Sequence, residues 1–239
     1  MSKLNRSIWL ALRRLLKGGT YRIHGIDVTV PNTVDQEIRY GLARGRPYEE
    51  PEARFVTAYL KEGMHVIELG GSIGVISALS RKIIGPSATQ IIVEANPELA
   101  KICHANAAMR ANPGTCETIC AAVDYSGAKE VAFDFGHNAH AGRVADGGAN
   151  VPIITLATII EKLPEGDAAL ICDIEGGELA LVAEDQDALK RFNLIIMEFH
   201  PHLYPARGQD AQKLKARIAQ SGFQVVAQEE DVVVFTRAQ

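Results

Sequence analysis

A glycine-rich segment at residues 66–77 constrains the fold of this chain more than any other feature. An apolar run with Glu68 near its end opens the segment, and small and apolar residues that favour a helix close it. Between them lie three glycines within five positions: Gly70, Gly71 and Gly74. Glycine suits a tight turn because it adopts backbone conformations closed to other residues and lets a ligand approach the main chain. The segment therefore predicts a strand, a turn and a helix, with a nucleotide-type pocket at the turn.

The spacing of these glycines indicates the class of ligand. The pattern is acid-x-Gly-x-x-x-Gly, whereas the dinucleotide fingerprint is Gly-x-Gly-x-x-Gly, in which the second glycine lets a pyrophosphate approach the backbone. A turn that lacks this glycine but has Glu68 at the strand end suits a ligand with an ammonium group better than one with two phosphates. S-adenosylmethionine is such a ligand.

A second acid, Glu94, follows Glu68 by 26 residues, at the end of an apolar run at 90–93. The interval leaves room for one helix, at about 74–84. An acid at the tip of the second strand of such a unit accepts hydrogen bonds from both ribose hydroxyls, and its charge disfavours a 2′-phosphate. Either acid alone is explained equally well as an exposed strand-end residue. The two together, at βαβ spacing around the glycine turn, favour a ligand site.

Two later strands also end in polar side chains. The run at 168–172 is apolar throughout, as expected of a central parallel strand, and the run at 194–197 resembles it. Ligands of open α/β sheets bind beyond the carboxyl ends of the strands, so we expect the side chains that follow both runs to face the crevice of Glu68 and Glu94. These candidate catalytic residues are Asp173, Glu175, Glu198 and His200.

Methyl transfer from a sulfonium requires a positioned nucleophile and, for a hydroxyl acceptor, a base. Crowding raises the pKa of at least one carboxyl group, and histidine titrates close to neutral pH. We therefore expect His200 or Asp173 to receive the acceptor proton, with Glu175 and Glu198 orienting the acceptor or the base. We expect no resident metal, although the same acids with His200 could hold a divalent cation that binds a diol acceptor.

Four segments of the chain resemble the signature blocks of FkbM-type S-adenosylmethionine-dependent methyltransferases. They occur in the family's order and at similar spacing, over about residues 48–201, and are residues 68–74, 94–97, 173–178 and 198–201. The resemblance implies an α/β fold with a Rossmann-like class I methyltransferase sheet, mostly parallel with an antiparallel strand near the C-terminus, and helices on both faces. The family usually has Gly-Ala-Asn in the first turn where this chain has Gly70, Gly71 and Ser72, so Ser72 occupies the position of the asparagine.

The resemblance also implies a set of cofactor contacts. Residues 122–124 are expected at the adenine ring, where Asp124 accepts from the exocyclic amine or is only a turn acid. Tyr48 and Glu49 precede the core and are expected near the pocket, because N-terminal elements tend to cover the cofactor in this family. The expected contacts of S-adenosylmethionine are Glu68, Gly70, Gly71, Ser72, Gly74, Glu94, Ala95, Asn96, Ala122, Val123, Asp124 and Asp173.

Length and composition limit the other possibilities. A chain of 239 residues with 47% hydrophobic residues can bury one sizeable core. A formal net charge of −4 argues against a general nucleic-acid binder. The four cysteines show no Cys-x-x-Cys pair, which argues against a zinc site or a disulfide framework and favours a cytoplasmic protein. We divide the chain into an N-terminal basic helix with cap elements, residues 1–47, and a methyltransferase domain, residues 48–239.

Residues 1–17 form a predicted basic amphipathic helix, because five Lys or Arg and no acid accompany apolar residues at helical spacing. The apolar residues are Leu4, Ile8, Leu12 and Leu15. Such a helix can lie on an anionic membrane surface or against a partner. We favour the alternative that its apolar face packs on the domain or across a dimer.

The remaining pattern predicts ordinary elements and one long loop. We expect a hairpin at 20–30, a third core strand at 117–123, and strands at 130–135 and 151–156. We expect helices at 34–44, 52–61, 97–111, 179–191 and 211–220, and a final antiparallel pair at 223–228 and 232–237. The helix at 97–111 is expected to face the sheet with Leu99, Ile102, Cys103 and Met109, and Asn106 is expected to be structural. The glycine-rich loop at 136–150 is a candidate lid whose His137, His140 and Arg143 could contact the acceptor.

These features together predict a methyltransferase that acts on a hydroxyl of a saccharide or another small molecule. A nucleotide-dependent oxidoreductase also fits Glu94 but not the glycine spacing. A third possibility is a non-catalytic module that binds the cofactor and attaches to a membrane or partner through its N-terminal helix.

Overall fold

A seven-stranded sheet forms the centre of the molecule, in a computed structural model that describes residues 3–135, 143–144, 148–206 and 208–238. The helices are α1 (Lys3–Lys17), α2 (Gln36–Ala43), α3 (Glu50–Tyr59), α4 (Val75–Ile84), α5 (Pro97–Ala108), α6 (Leu156–Ile160), α7 (Glu178–Glu184), α8 (Gln186–Leu189) and α9 (Gly208–Gln220). The strands are β1 (Thr20–Ile23), β2 (Ile26–Thr29), β3 (His65–Leu69), β4 (Gln90–Val93), β5 (Cys116–Ile119), β6 (Ala122–Val123), β7 (Glu130–Asp134), β8 (Arg143–Val144), β9 (Ala149–Ile154), β10 (Ala168–Cys172), β11 (Leu194–Glu198), β12 (Phe223–Glu229) and β13 (Val232–Arg237).

The strand order of the main sheet is β12-β13-β11-β10-β3-β4-β5. Only β13 runs against the others, paired antiparallel with β11 and β12, while the remaining pairs are parallel. Side chains alternate between two buried clusters, one on each face, so that Val66 and Ile171 lie in one cluster and Ile67 and Leu170 in the other. Because both faces are covered by helices, these strands are apolar at nearly every position. The expected class I methyltransferase sheet is confirmed.

The predicted third core strand at 117–123 is present as β5, but its predicted end is wrong, because the chain divides there into two strands of different sheets. The neighbouring strand β4 has only four residues, so its pairing with β5 ends at Ile119. The following residues pair instead with β9, in a four-stranded sheet of order β6-β9-β7-β8. The predicted strand at 151–156 also ends early, because Thr155 caps α6 by accepting a hydrogen bond from the backbone N–H of Thr158.

The predicted helix at 179–191 is interrupted at Asp185, which separates α7 from α8. The carboxylate of Asp185 accepts hydrogen bonds from the Tyr125 hydroxyl at 2.7 Å and from the Ala157 backbone N–H at 2.9 Å. Both partners are distant in sequence, so the interruption reflects tertiary contacts that a local pattern does not contain.

The apolar face of α1 is exposed, which contradicts the expectation that it packs on the domain and leaves packing across a dimer as a prediction. Ile8 and Leu12 are 52% and 56% exposed, and Leu15 is 84% exposed. The helix is attached by other residues: Leu10 is buried, and Trp9 contacts the Tyr40 ring edge-to-face at 5.6 Å.

Three basic side chains of α1 contact the rest of the domain, although Arg14 and Lys17 are exposed. Arg6 forms an ion pair with Glu37, and the Arg13 guanidinium lies 4.1 Å from the centre of the Tyr21 ring. Arg14 donates a hydrogen bond to the Asn32 side chain. Because carboxylate, aromatic and amide partners are available on α2 and the hairpin, charge decides which face of α1 docks.

The predicted hairpin at 20–30 is confirmed as β1 and β2, and Asn106 of α5 fastens it to the core. The Asn106 amide nitrogen donates to the carbonyls of Thr29 and Ile73, and its oxygen accepts from the Thr29 N–H. Asn106 is therefore structural, as expected.

Met109, expected to face the sheet, is 56% exposed, because α5 ends at Ala108 and the chain turns there. Among the described residues, none of the helices combines the length and apolar character that crossing a bilayer requires.

Candidate active site

A cavity of about 350 Å³ lies at the carboxyl ends of β3, β4 and β10. This volume is within the range of small-molecule pockets, and the position is where open α/β sheets bind ligands. Most of the expected cofactor contacts line it: Gly70, Ser72, Glu94, Ala95, Asn96, Ala122, Val123, Asp124 and Asp173. We call this space the first cavity.

Glu94 joins the glycine turn to the tip of β4. One carboxylate oxygen accepts the Ser72 backbone N–H and the other accepts the Asn96 backbone N–H, each at 2.8 Å. Burial raises the pKa of Glu94 to about 7, although the two backbone hydrogen bonds oppose the shift. The side chain is therefore rigid and retains lone pairs that face the first cavity.

The glycines of the turn are required by packing within the protein. A Cβ on Gly70, whose φ is +91°, would lie 1.8 Å from the Asp173 carbonyl oxygen, so glycine permits the ends of β3 and β10 to approach. A Cβ on Gly71 would lie 2.6 Å from Cys103 Sγ, and one on Gly74 would lie 2.8 Å from Cys103 Cα. Gly71 and Gly74 therefore admit helix α5, and they do not line the first cavity.

Glu68, expected to meet the ligand, lies beneath the turn and not in the cavity wall. It is 1% exposed and accepts hydrogen bonds from Ser77 Oγ at 2.6 Å and Gln90 Nε2 at 3.4 Å. Burial raises its pKa to about 8. The structure thus corrects its place: Glu68 points towards α4 and supports the turn from the interior.

The opposite wall of the first cavity contains the expected adenine segment and four side chains that sequence reasoning missed. Asp124 lines the wall and also accepts the Ser126 backbone N–H at 2.8 Å, so it closes a turn there. The missed side chains are apolar: Phe133, Phe135, Ile174 and Leu203. Phe133 and Phe135 have the spacing of one strand face, a signal that could have identified them.

A second cavity of about 420 Å³ meets the first at Asp173 and Glu175. Of the twelve described residues that line it, eight are acidic and none is Lys or Arg, so this part of the wall favours positive charge. Its acidic residues are Glu49, Glu50, Glu52, Asp173, Glu175, Glu198, Glu230 and Asp231. The four predicted catalytic residues all line this cavity.

His200 is held in one orientation by a buried carboxylate. Its Nδ1 lies 2.8 Å from Glu178, which is fully buried and also accepts the Tyr204 hydroxyl at 3.0 Å. With Nδ1 bonded, Nε2 faces the acids of the second cavity, 3.4 Å from Asp173 and 3.5 Å from Glu175. Sequence reasoning left the role of Glu178 open, because the contact joins residues 22 positions apart.

Burial and mutual repulsion dominate the electrostatics of this cluster. Burial, with the charge of Glu198, raises the pKa of Asp173 to about 8, and burial also raises the pKa of Glu175 and of Glu198. Burial lowers the pKa of His200, but the hydrogen bond and charge of Glu178 outweigh it and raise that pKa to about 9. The raised pKa values favour the protonated forms of Asp173 and His200 at neutral pH.

The N-terminal elements reach both cavities. The Tyr48 hydroxyl lies 3.4 Å from Ser72 Oγ, and Glu49 lines the second cavity, so both lie near the pocket as expected. Ser72, Glu49 and Glu175 have φ between 46° and 48°, which is strained for residues with side chains. Such strain concentrates at functional sites. His137 and His140 of the predicted lid, and the side chain of Arg143, lie outside the described residues.

The model of the family described as "Methyltransferase FkbM domain" matches residues 68–225, about two thirds of the chain. The chain belongs to the FkbM methyltransferase family. The methyl donor of this family is S-adenosylmethionine, and the match favours a methyltransferase over the alternative of a nucleotide-dependent oxidoreductase. A search of curated proteins gave no match.

Solved methyltransferase structures match this FkbM chain at low sequence identity and low TM-score. Fibrillarin from Aeropyrum pernix, with natively bound S-adenosyl-L-methionine, is 13% identical over 79% of this chain and 74% of that chain, with a TM-score of 0.47. A methyltransferase from Pyrococcus furiosus is 12% identical over 98% and 97%, with a TM-score of 0.46. Precorrin-6y C5,15-methyltransferase from Geobacter metallireducens is 12% identical over 79% and 88%, with a TM-score of 0.44.

Proposed function

We propose that this protein transfers the methyl group of S-adenosylmethionine to a hydroxyl of a saccharide or another small molecule. The observation that carries the proposal is the junction of the two cavities at Asp173 and Glu175. A donor in the first cavity and an acceptor in the second would meet beside the imidazole of His200, which lines the second cavity. The second cavity, of about 420 Å³, has room for a small acceptor.

The first cavity offers groups that match each part of the donor. Glu94 has free lone pairs for the ribose hydroxyls, and residues 122–124 lie where main-chain groups can bind the adenine edge. Gly70, Ser72 and Asp173 surround the part of the cavity that leads to the junction. When bound, S-adenosylmethionine supplies an electrophilic methyl group, and the electron pair of the broken S–C bond stays on sulfur as the acceptor oxygen bonds to carbon.

His200 is the proposed base. Glu178 fixes the ring, so Nε2 can receive the proton that the acceptor hydroxyl loses. Asp173, Glu175 and Glu198 surround Nε2 at 3.4, 3.5 and 4.0 Å, where they can accept hydrogen bonds from the acceptor or stabilise the imidazolium. Positive charge brought into this acidic cluster lowers the pKa of His200 and favours the neutral, proton-accepting ring.

Isothermal titration calorimetry with S-adenosylhomocysteine and NAD tests the donor assignment. We expect S-adenosylhomocysteine to bind one site per chain and NAD to give no heat. Tight binding of NAD alone would end the methyltransferase proposal.

A panel of hydroxylated acceptors, followed by the release of S-adenosylhomocysteine, tests the reaction itself. His200→Gln should lower turnover by about 10²- to 10⁴-fold, because it removes the base, and should leave the affinity for S-adenosylhomocysteine unchanged. Full turnover by this variant would exclude His200 as the base.

A further inference from the structure

We propose that the second cavity binds a divalent cation through one carboxylate oxygen each of Glu52, Asp173 and Glu198. The ion is of the hard class that includes Mg²⁺, Mn²⁺ and Ca²⁺. The site does not depend on methyl transfer, whereas the role assigned to the ion below rests on the proposed function.

Glu52 is the first observation. It lies on α3 beside the buried Ala53 and Val56, is itself only 5% exposed, and lines the second cavity. Among the described residues, no group donates a hydrogen bond to its carboxylate or forms an ion pair with it. A carboxylate buried without a partner costs several kcal/mol, and proteins normally pair such a group or bind a metal with it.

Asp173 supplies a second, independent observation. Its Oδ1 atom is buried and has no hydrogen-bond partner among the described residues. His200 Nε2 is 3.4 Å from that atom, close enough for electrostatic attraction but not aligned as a hydrogen bond. The buried carboxylate of Glu52 on α3 and the buried Oδ1 atom of Asp173 at the end of β10 therefore face the second cavity without donors among the described residues.

The distances suit a single ion. One oxygen of Glu52, one of Asp173 and one of Glu198 lie within 4.8 Å of one another. Oxygen ligands lie about 2.0–2.6 Å from Mg²⁺ or Ca²⁺, so two ligands on opposite sides of an ion are about 4–5 Å apart. An ion between these three oxygens needs only small side-chain movements.

A second group of possible ligands, Asp173, Glu175 and His200, is equally compact. We assign the ion to the all-oxygen group because it contains Glu52, whose buried carboxyl group has no partner among the described residues, whereas His200 already bonds Glu178. His200 then remains beside the ion, with Nε2 directed to the same space.

The ion gives the acidic cavity a defined substrate class. Three protein oxygens leave about three of the six positions preferred by Mg²⁺ open for water or substrate. Two neighbouring hydroxyls of a saccharide can occupy such positions, and coordination acidifies a bound hydroxyl close to His200. If the proposed function holds, the acceptor is therefore a vicinal diol bound through the ion.

Manganese binding, followed by the loss of the electron paramagnetic resonance signal of free Mn²⁺, tests the site on the full chain. We expect wild type to bind Mn²⁺ at one site per chain and Mg²⁺ to compete. Glu52→Gln and Glu198→Gln should weaken binding at least about tenfold, because each removes a ligand charge. Glu62→Gln makes the same change at an exposed acid outside the cavity and should bind as wild type does. Absence of Mn²⁺ binding at millimolar concentration, or equal binding by Glu52→Gln, overturns the proposal.

Thermal unfolding separates lost binding from a damaged fold. Without added metal, Glu52→Gln should melt at or above the wild-type temperature, because a buried unpaired carboxylate is removed. Mn²⁺ should raise the melting temperature of wild type and Glu62→Gln but not of Glu52→Gln. An equal rise in all three proteins contradicts the assigned site.

An organic cation is the competing occupant of an acidic cavity, and putrescine is the probe for it. The proposal predicts that putrescine does not displace Mn²⁺ at equal concentration. Tight putrescine binding without any Mn²⁺ binding overturns the metal site and points to an amine acceptor.

Mn²⁺ binding without methylation of any hydroxyl contradicts the proposed function alone. Methylation at full rate in excess EDTA contradicts the role of the ion alone.

Discussion

Glu94 is a single side chain that supports the fold and also lines the first cavity. Its carboxylate holds two backbone N–H groups of the loops after β3 and β4 and still faces the first cavity. Burial disfavours the charged carboxylate and raises the pKa of Glu94 to about 7. The charged form of Glu94 is therefore only partly populated near neutral pH.

Glu94→Gln should weaken binding of S-adenosylhomocysteine by about 10- to 100-fold, because a hydrogen bond to a charged group contributes about 1.5–3 kcal/mol. The wild-type affinity should also rise with pH and level off above pH 8, since the carboxylate, which accepts best, forms as the pH passes about 7. Calorimetric titrations across this range measure both effects. An unchanged affinity in the variant, or a wild-type affinity that does not vary with pH, would contradict a ribose at Glu94.

Gly70 lies where an added side chain would collide with the backbone of another strand end. Its Cβ position is blocked by a backbone carbonyl at 1.8 Å, whereas Gly63, with a similar φ of +84°, has nothing within 4 Å. Gly63→Ala should cost about 1–2 kcal/mol from backbone strain alone. Gly70→Ala should cost at least about 2 kcal/mol more, because β3 and β10 must separate. Urea unfolding of the two variants measures the difference, and equal losses would show that the turn relaxes.

At the scale of elements, patterns that repeat locally were read correctly from the sequence. The βαβ unit around Gly70, the hairpin at 20–30 and the final antiparallel pair are confirmed, because alternation, glycine turns and caps are short-range signals. Boundaries set by distant partners were not predictable in this way. The strand at 117–123 ends where β4 ends, and the helix at 179–191 breaks where Asp185 meets Tyr125.

Helix α1 is the element that departs most from its sequence pattern. Leu10→Ala should loosen the helix, because Leu10 is buried, and a large-to-small change in a core costs about 2–5 kcal/mol. Leu12→Ala is the matched control, since Leu12 is 56% exposed. Hydrogen exchange of the α1 amides should be faster in the first variant only. Equal exchange in both would mean that the helix does not dock through Leu10.

At the scale of the whole molecule, the structure brings together most, but not all, of the residues that the sequence grouped as a candidate site. Strand-end acids converge because parallel strands end at one edge of the sheet, so Asp173, Glu175, Glu198 and His200 were predictable as a group. Glu68 was misplaced, because its neighbours in sequence do not reveal that Ser77 and Gln90 bind it in the interior.

The roles of two further acids could be assigned only from the folded structure. The role of Glu178 depends on a contact with His200, and Glu52 reaches the second cavity only through the packing of α3. An acid on the buried side of an amphipathic helix, as Glu52 is beside Ala53 and Val56, is a signal that a sequence search could include.

The central claim is that two cavities meeting at Asp173 hold donor and acceptor side by side. A crystal structure with S-adenosylhomocysteine tests it most directly. The account predicts the ribose at Glu94, the adenine against residues 122–124 and Phe133, and the sulfur directed to the junction beside Asp173. An adenosyl group bound elsewhere, or a sulfur directed away from the second cavity, would contradict it.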